Sequence, residues 1–234
     1  MQLLLVSSSF VSGGNYLEHA REAVKEFLDA CPPGEVLYVP YAAHPSKWDE
    51  YAASAEQFFA SLGQSCRSLH VFADPAGHLS VTQLKAVFCG GGNTFLLIKT
   101  LQEMSLVEPI RDVVQAGAGY MGASAGSVIA CPTMQTTNDM PIVEPESFAS
   151  VGLVDFHINA HFVSGSLMQG HMGETREQRI AEFHQFTDRK VIGLPEPSWI
   201  HVNDGSTTVG GGAGAIIFEK GQPERPWPVG TELS

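Results

Sequence analysis

Residues 119–130 of the chain read Gly119-Tyr-Met-Gly122-Ala-Ser124-Ala-Gly126-Ser127-Val-Ile-Ala130. An apolar strand pattern runs into Gly-x-Ser-x-Gly and then directly into a segment that suits a helix, which is the context of a nucleophile elbow. Because such a tight turn leaves no room for side chains two positions either side of the serine, glycine is expected at 122 and 126. The turn would expose the Ser124 hydroxyl and place the Ala125 amide at the positive end of the helix. An ordinary glycine-rich turn between a strand and a helix gives the same five-residue pattern, so the surrounding residues must decide.

Short aliphatic and β-branched runs alternate with longer stretches of helical periodicity on both sides of this turn, which is typical of βαβ units around a largely parallel sheet. Strands are predicted at residues 3–6, 36–39, 68–72, 86–89, 119–122 and 191–194, with an antiparallel finish at 199–202, 207–209 and 215–218. Helices are predicted at 16–30, 51–62, 94–101 and 174–186. The sequence therefore predicts an α/β fold, a three-layer α/β/α sandwich with a mostly parallel sheet, as a single domain over residues 1–234.

The chain has 234 residues, with 13 Lys and Arg against 25 Asp and Glu, which gives a net charge of −12. Such a chain lacks the basic surface that binds nucleic acids and anionic membranes, so neither partner is expected. No apolar run reaches the roughly 20 residues of a membrane span, and the apolar start at residues 1–6 has no basic flank or cleavage site and suits a first buried strand. A cytoplasmic location is expected, with reduced cysteines, because the four cysteines show no Cys-x-x-Cys spacing.

A serine hydroxyl needs a base to take its proton, and the segment Phe156-His157-Ile158-Asn159-Ala160-His161-Phe162 offers two histidines. Its alternating apolar residues predict a strand that runs into a loop at the sheet's edge. Functional groups of parallel α/β folds gather at the carboxyl ends of strands, which favours His161 as the base and leaves His157 a structural role. A metal site that adds His171 and Glu174 to these two histidines competes, but a spacing of four places two imidazoles on one face only in a helix.

A catalytic imidazole also needs a carboxylate that fixes its tautomer. Glu196 follows the apolar residues 190–195 and lies between two prolines that restrain it, so it is the predicted third member. Asp139, in the polar turn at 136–141, is the alternative, and it also suits an Asx turn that caps its own backbone. The chain order Ser124, His161, Glu196 differs from the Ser, Asp or Glu, His order of α/β-hydrolases, which argues against an ordinary esterase of that fold.

A second glycine-rich turn, Phe88-Cys-Gly90-Gly91-Gly92-Asn93-Thr94, joins a predicted strand to a predicted helix. Exposed amides in such a turn bind an anion, either a phosphate or the oxyanion of a tetrahedral intermediate. The turn lacks the lysine of a nucleotide-binding P-loop, so an oxyanion hole made by Gly91 or Gly92 with Ala125 fits better.

Several longer motifs resemble one known family. They are the Leu-Leu-Leu-Val-Ser start, Tyr16-Leu-Glu-His19, Gly90-Gly-Gly-Asn-Thr-Phe95, the serine elbow, Thr136-Thr-Asn-Asp-Met-Pro-Ile142, Ile158-Asn159 before His161, and Gly173-Glu-Thr-Arg-Glu-Gln-Arg-Ile180. The chain is similar to the dipeptidase E family of α-aspartyl dipeptidases. The resemblance implies a class I glutamine-amidotransferase-like fold, Ser124 as nucleophile, His161 as base, Glu196 as triad acid and release of N-terminal aspartate from Asp-Xaa dipeptides. Ala160 and Pro197 depart from the family's pattern next to two of these positions.

An acidic protein that binds an acidic substrate needs a local cation, and a guanidinium holds a carboxylate in a planar fork. Arg176 begins a predicted helix close in sequence to His161, and the resemblance points to the same arginine. The alternative to a substrate-binding role for Arg176 is a surface ion pair with an acid such as Glu177 or Asp188. Asn93 and Asp139 are further candidates for substrate binding.

The sequence thus predicts a serine dipeptidase, without metal or cofactor, that acts on small peptides with an N-terminal aspartate as a monomer or homodimer. A related peptidase for β-aspartyl peptides, of the cyanophycinase type, shares the elbow and stays open as an alternative. A non-catalytic module that binds an anion or a nucleotide would keep the glycine-rich turns and need no base.

Overall fold

The structure is a computed structural model that describes residues 1–81, 83–165 and 173–233. The strands in these residues are β1 Gln2–Val6, β2 Glu35–Val39, β3 Cys66–Ser68, β4 Leu84–Cys89, β5 Gly119–Ala123, β6 His157–Ala160, β7 Val191–Leu194, β8 Ser198–Asn203, β9 Ser206–Gly211, β10 Ala215–Phe218 and β11 Arg225–Trp227. The α-helices are α1 Arg21–Ala30, α2 Trp48–Ser61, α3 Pro75–Val81, α4 Thr94–Glu103, α5 Val107–Gln115, α6 Ala125–Ile129 and α7 Arg176–Phe183.

The larger sheet has seven strands in the order β3-β2-β4-β5-β1-β8-β9. The strands from β3 to β1 run parallel, and β8 and β9 extend the sheet in antiparallel fashion. Successive side chains point to opposite faces, so that Leu3 and Leu5 enter one core while Leu4 and Val6 enter the other. Parallel strands buried on both faces need nearly continuous apolar runs, which β1, β2 and β4 provide.

Helices cover both faces of this sheet. α1 and α2 pack on one face through residues that include Phe27 and Phe59. α4, α5 and α6 pack on the other face through residues that include Leu97, Ile110 and Ile129. The three-layer α/β/α arrangement predicted from the sequence is confirmed. Within the described ranges, no helix combines the length and the apolar character that crossing a membrane requires.

A second sheet of four strands, in the order β11-β10-β7-β6, shares the core on the α4–α6 side. The sequence predicts one sheet that includes residues 191–194 and 215–218, and this prediction is wrong, because both segments lie in the second sheet as β7 and β10. Each segment has the short apolar pattern of any buried strand, and such a pattern does not specify a partner. β6 is the edge strand, paired in parallel with β7, and it ends one residue before His161.

The strand predicted at 68–72 is also wrong, because β3 ends at Ser68. The Ser68 hydroxyl bonds the His70 ring at 2.6 Å, and Leu69–Val71 form a 3₁₀ turn.

The helices differ from prediction at two places. α1 begins at Arg21 rather than at residue 16, because Leu17 has a left-handed φ of 54° that no helix tolerates. α3 and α5 are additional helices, although the spacing of Val107, Ile110 and Val114 in α5 is that of an amphipathic helix and could have been recognised.

Candidate active site

Ser124 lies in a sharp turn between β5 and α6. Its backbone has φ 52° and ψ −111°, a sparsely populated region for an L residue, which costs about 1–3 kcal/mol. A Cβ at Gly122 would lie 2.5 Å from the Gly126 carbonyl oxygen, and a Cβ at Gly126 would lie 1.9 Å from the Cys89 carbonyl oxygen. The close approach of the backbone therefore explains both glycines, as the elbow interpretation expects.

Ser124, His161 and Glu196 form a continuous chain of hydrogen bonds. The Ser124 hydroxyl lies 2.7 Å from His161 Nε2, and His161 Nδ1 lies 2.5 Å from Glu196 Oε1. Both distances suit hydrogen bonds, and a carboxylate on Nδ1 leaves Nε2 as the acceptor for the serine proton. The side chains of His161 and Glu196 are 41% and 38% exposed, so a small molecule can reach them.

Three strands from two sheets position this chain. Ser124 follows β5 of the larger sheet, His161 follows β6 of the second sheet, and Glu196 lies in the turn between β7 and β8. The carboxyl ends of β5, β6 and β7 meet at one edge, which is where parallel α/β folds place their functional groups.

Val6 and Ser7, at the end of β1, bond to all three segments, and the sequence shows them only in the family-like start of the chain, without a role in the site. The Val6 carbonyl accepts the Ser124 N–H at 3.0 Å and the Ser127 hydroxyl at 2.7 Å. The fully buried Ser7 hydroxyl accepts the His161 N–H at 3.0 Å and donates to the Leu194 carbonyl at 2.8 Å. No local sequence pattern predicts the role of these two residues, because they contact chain segments more than a hundred residues away.

The glycine-rich turn at 90–92 lies beside Ser124. A Cβ at Gly91 would lie 3.3 Å from Ser124 Cβ, and Gly92 has a φ of +142° with the Ala42 carbonyl oxygen only 2.4 Å from where a Cβ would be. Among the residues that the structure describes, the amides of Gly91, Gly92 and Ala125 have no hydrogen-bond acceptor. Free amides next to a nucleophile can stabilise an oxyanion.

Asp139 and Asn93 lie together at the start of α4. Asp139 Oδ2 accepts hydrogen bonds from the Thr94 N–H at 2.7 Å, from the Thr94 hydroxyl at 2.5 Å and from the Thr137 hydroxyl at 3.1 Å. Asn93 Oδ1 caps the helix at the Leu96 N–H. The Asp139 carboxylate thus binds the amino end of α4, while Glu196 is the carboxylate on the imidazole.

Arg176 is the first residue of α7, which begins with a capping box between Thr175 and Gln178. Arg176 Nη1 donates to Asn138 Oδ1 at 2.5 Å, and Asn138 Nδ2 donates to the Ala160 carbonyl at 2.8 Å, so one amide links the guanidinium to the residue before His161. Burial and the nearby Arg179 lower the pKa of Arg176. Within residues 1–81, 83–165 and 173–233, no carboxylate pairs with Arg176. The two acids that the sequence offered as its surface partners bind other groups. Glu177 accepts the Gly165 N–H, and Asp188 pairs with Lys220.

A cavity of about 470 Å³ opens in front of the serine. Ser124, His161, Gly91, Gly92 and Asp139 line it. A pocket of several hundred Å³ suits a small molecule such as a dipeptide. We call this cavity the cleft.

The competing metal site lacks support in the described part of the chain. His157 is buried in β6 against the Phe183 ring, with the ring centres 4.9 Å apart, and burial lowers its pKa to about 4. Within the described ranges, no three His, Cys, Asp or Glu side chains lie close enough to hold one ion. His171, which the metal interpretation also used, lies outside these residues.

The structure is thus an α/β protein in which a serine, an imidazole and a carboxylate form one hydrogen-bonded chain at the carboxyl ends of the strands. The chain belongs to Peptidase family S51, whose family model matches residues 3–210.

Two comparisons with curated relatives agree with this assignment. Peptidase E of Escherichia coli O6:K15:H31 is 42% identical over 231 residues, which cover 98% of this chain and 99% of that protein. Peptidase E of Escherichia coli strain K12 / DH10B shows 42% identity with the same coverage. The resemblance to the dipeptidase E family is confirmed.

A solved structure shows the same fold. The crystal structure of a peptidase from an acI-B1 Actinobacterium superposes with a TM-score of 0.77 at 22% identity, covering 100% of this chain and 96% of that one. At this identity the match supports the architecture alone.

Proposed function

We propose that the protein is a serine dipeptidase that releases the N-terminal aspartate of Asp-Xaa dipeptides through an acyl-enzyme on Ser124. The observation that carries the proposal is the chain of hydrogen bonds from Ser124 through His161 to Glu196, at an elbow beside free backbone amides. The family supplies the reaction class, and the site supplies a nucleophile, a base and a place for negative charge.

The chemistry follows from the geometry. His161 Nε2 takes the hydroxyl proton as Ser124 Oγ bonds to the carbonyl carbon of the aspartyl residue, and the oxyanion turns toward the amides of Gly91, Gly92 and Ala125. The imidazolium, stabilised by Glu196, gives its proton to the leaving amine as the C–N bond breaks. His161 then takes a proton from water as the water attacks the ester, and the imidazolium gives that proton to Ser124 Oγ as the ester bond breaks and aspartate leaves.

Arg176 is the group that we assign to the aspartyl side chain. A cation at the first position of a helix lies at the positive end of the helix dipole, which is electrostatically unfavourable. Partial burial of the Arg176 guanidinium adds a desolvation cost. Without an acidic partner in the described residues, that cost favours binding of an external carboxylate. The hydrogen bond to Asn138 fixes one edge of the guanidinium and leaves other donors for the ligand.

Asp139 is the group that we assign to the substrate's α-ammonium. It borders the cleft, and its Oδ2 takes all the hydrogen bonds that the described residues give to this carboxylate. Its Oδ1 is therefore available as an acceptor for a cation.

The test is a panel of dipeptides: Asp-Leu, Asn-Leu, Leu-Leu and β-Asp-Leu. We expect Asp-Leu to be cleaved best, and Ser124→Ala to lower its turnover by several orders of magnitude while the protein stays folded. Retained turnover in Ser124→Ala would refute the mechanism, and preferred cleavage of β-Asp-Leu would assign the β-aspartyl activity instead.

Specificity has its own matched pair of variants. Arg176→Ala should lower kcat/KM for Asp-Leu by about 10- to 100-fold, which is the worth of a charged hydrogen bond, and should change Leu-Leu little. Arg179→Ala, on the same helix, removes a nearby positive charge and a surface pair with Glu174 at 3.8 Å but keeps the Arg176 guanidinium, and it should leave the preference intact. Equal preference in Arg176→Ala and the unmodified protein would show that another group binds the aspartyl side chain.

A further inference from the structure

One wall of the cleft is aromatic. Phe10, Tyr16 and Tyr51 line it together with Ser124 and His161. The Phe10 and Tyr16 rings meet edge to face with their centres 5.3 Å apart. Phe10 is 55% exposed and Tyr51 is 37% exposed, which leaves large apolar surface open to water beside the nucleophile. Covering this apolar surface with a ligand is favourable, because the surface is then removed from water.

Charge excludes the substrate's aspartyl side chain from this wall. The described residues that line the cleft include Glu50 and Asp139 but no lysine or arginine. Arg176, the cation assigned to the aspartyl group, does not line the cleft. Glu50 already pairs with Lys47 at 2.6 Å, and no cation stands among the described residues that line the cleft. A carboxylate placed among the aromatic rings would lose its hydration without a new ionic partner, so the wall suits a different part of the peptide.

The proton transfer from His161 to the leaving amine identifies the part of the peptide that contacts the wall. The leaving amine must lie within reach of His161 Nε2, because the imidazolium gives it a proton. The backbone of His161 is bonded to Ser7, and the chain continues from Ser7 to Phe10 along the cleft. The residue attached to the leaving nitrogen therefore lies in the cleft, whose lining includes Phe10 with its ring packed on Tyr16.

We propose that Phe10, Tyr16 and Tyr51 form the subsite for the side chain of the second residue, and that this subsite selects large apolar and aromatic side chains. The proposal rests on the proposed function, because it takes Asp-Xaa dipeptides as substrates. Burial against three rings favours phenylalanine and leucine, and alanine reaches little of the wall. A glutamate is disfavoured because its carboxylate would lose its hydration there.

The experiment measures kcat/KM for Asp-Phe, Asp-Leu, Asp-Ala and Asp-Glu. The unmodified protein should prefer Asp-Phe and Asp-Leu over Asp-Ala by about 10- to 100-fold, the usual range for added apolar groups in a pocket. Tyr51→Ala and Phe10→Ala should each lower that preference by about fivefold or more, because each variant removes a ring that a large side chain covers and that alanine reaches little. Phe186→Ala is the control, because this ring is 91% exposed and does not line the cleft.

The outcomes separate this proposal from the previous one. If no Asp-Xaa dipeptide is cleaved, both proposals fail. If Asp-Ala is cleaved normally and the ratio of Asp-Phe to Asp-Ala stays unchanged in both Tyr51→Ala and Phe10→Ala, the dipeptidase function stands and the subsite is refuted. Tyr51→Phe keeps the ring and should keep the preference, and loss of the preference in this variant would also contradict a subsite based on apolar contact.

Discussion

Ser7→Ala tests whether the end of β1 sets the distance between nucleophile and base. The variant removes one hydroxyl that is fully buried and that bonds both the His161 N–H and the Leu194 carbonyl. A buried backbone group left without a partner costs about 1–3 kcal/mol. His161 has a left-handed φ of 54°, a strained conformation that surrounding hydrogen bonds such as this one must hold in place. We expect the imidazole to shift away from Ser124 when the hydroxyl is absent.

The size of the effect follows from that cost. If the full 1–3 kcal/mol appears in the activation barrier, kcat falls by about 5- to 150-fold, since about 1.4 kcal/mol corresponds to tenfold in rate. KM should stay within about twofold, because Ser7 does not line the cleft. Steady-state kinetics with Asp-Leu measures both constants, and urea unfolding measures the loss of stability.

Ser150→Ala is the matched control. Ser150 is also buried, and its hydroxyl donates to the Phe148 carbonyl away from the cleft. Its removal should lower stability without changing kcat. If Ser7→Ala retains kcat within about twofold of the unmodified protein while losing stability as Ser150→Ala does, Ser7 supports the fold and does not position the base.

Three further predictions follow from the site and its surroundings. Glu196→Gln should lower kcat by at least about 100-fold with little change in KM, because an amide neither fixes the tautomer nor stabilises the imidazolium; near-normal kcat would contradict a role for this carboxylate. Gly126→Ala should prevent stable folding, because its Cβ would lie 1.9 Å from the Cys89 carbonyl oxygen; a folded, active variant by circular dichroism and assay would contradict the packing. Burial lowers the pKa of His157 from 6.5 to about 4, so the unfolded chain binds more protons in that window and stability should fall as the pH falls from about 6.5 to about 4. Urea unfolding at several pH values should show a shallower pH dependence for His157→Phe than for the unmodified protein, and equal slopes would contradict a buried neutral imidazole.

The sequence predicts the parts of the fold that depend on neighbouring residues. The strand, turn and helix around Ser124 are predicted from glycines at fixed positions. The structure explains these glycines in the same way, because a Cβ at Gly122 or Gly126 would clash with backbone atoms. The alternating pattern before His161 predicts a strand that ends near this residue, and β6 ends at Ala160. These features need no knowledge of distant segments.

Distant pairing is what the sequence does not predict. The apolar segments of β7 and β10 resemble those of the larger sheet, and only their contacts with β6 and β11 assign them to a second sheet. For the same reason the sequence shows Val6 and Ser7 within a family-like motif but not their role, which depends on the fold bringing residues 124, 161 and 194 to them. The link from Arg176 through Asn138 to Ala160 also appears only once α7 meets the end of β6.

Labelling with a fluorophosphonate tests the central claim most directly, because the reagent bonds to a serine only when a base has activated its hydroxyl. Peptide mapping by mass spectrometry should find one adduct, on Ser124, and His161→Ala should label at least about 100-fold more slowly. An adduct on another residue, or labelling of Ser124 at an unchanged rate in His161→Ala, would contradict the assignment of these two side chains as nucleophile and base.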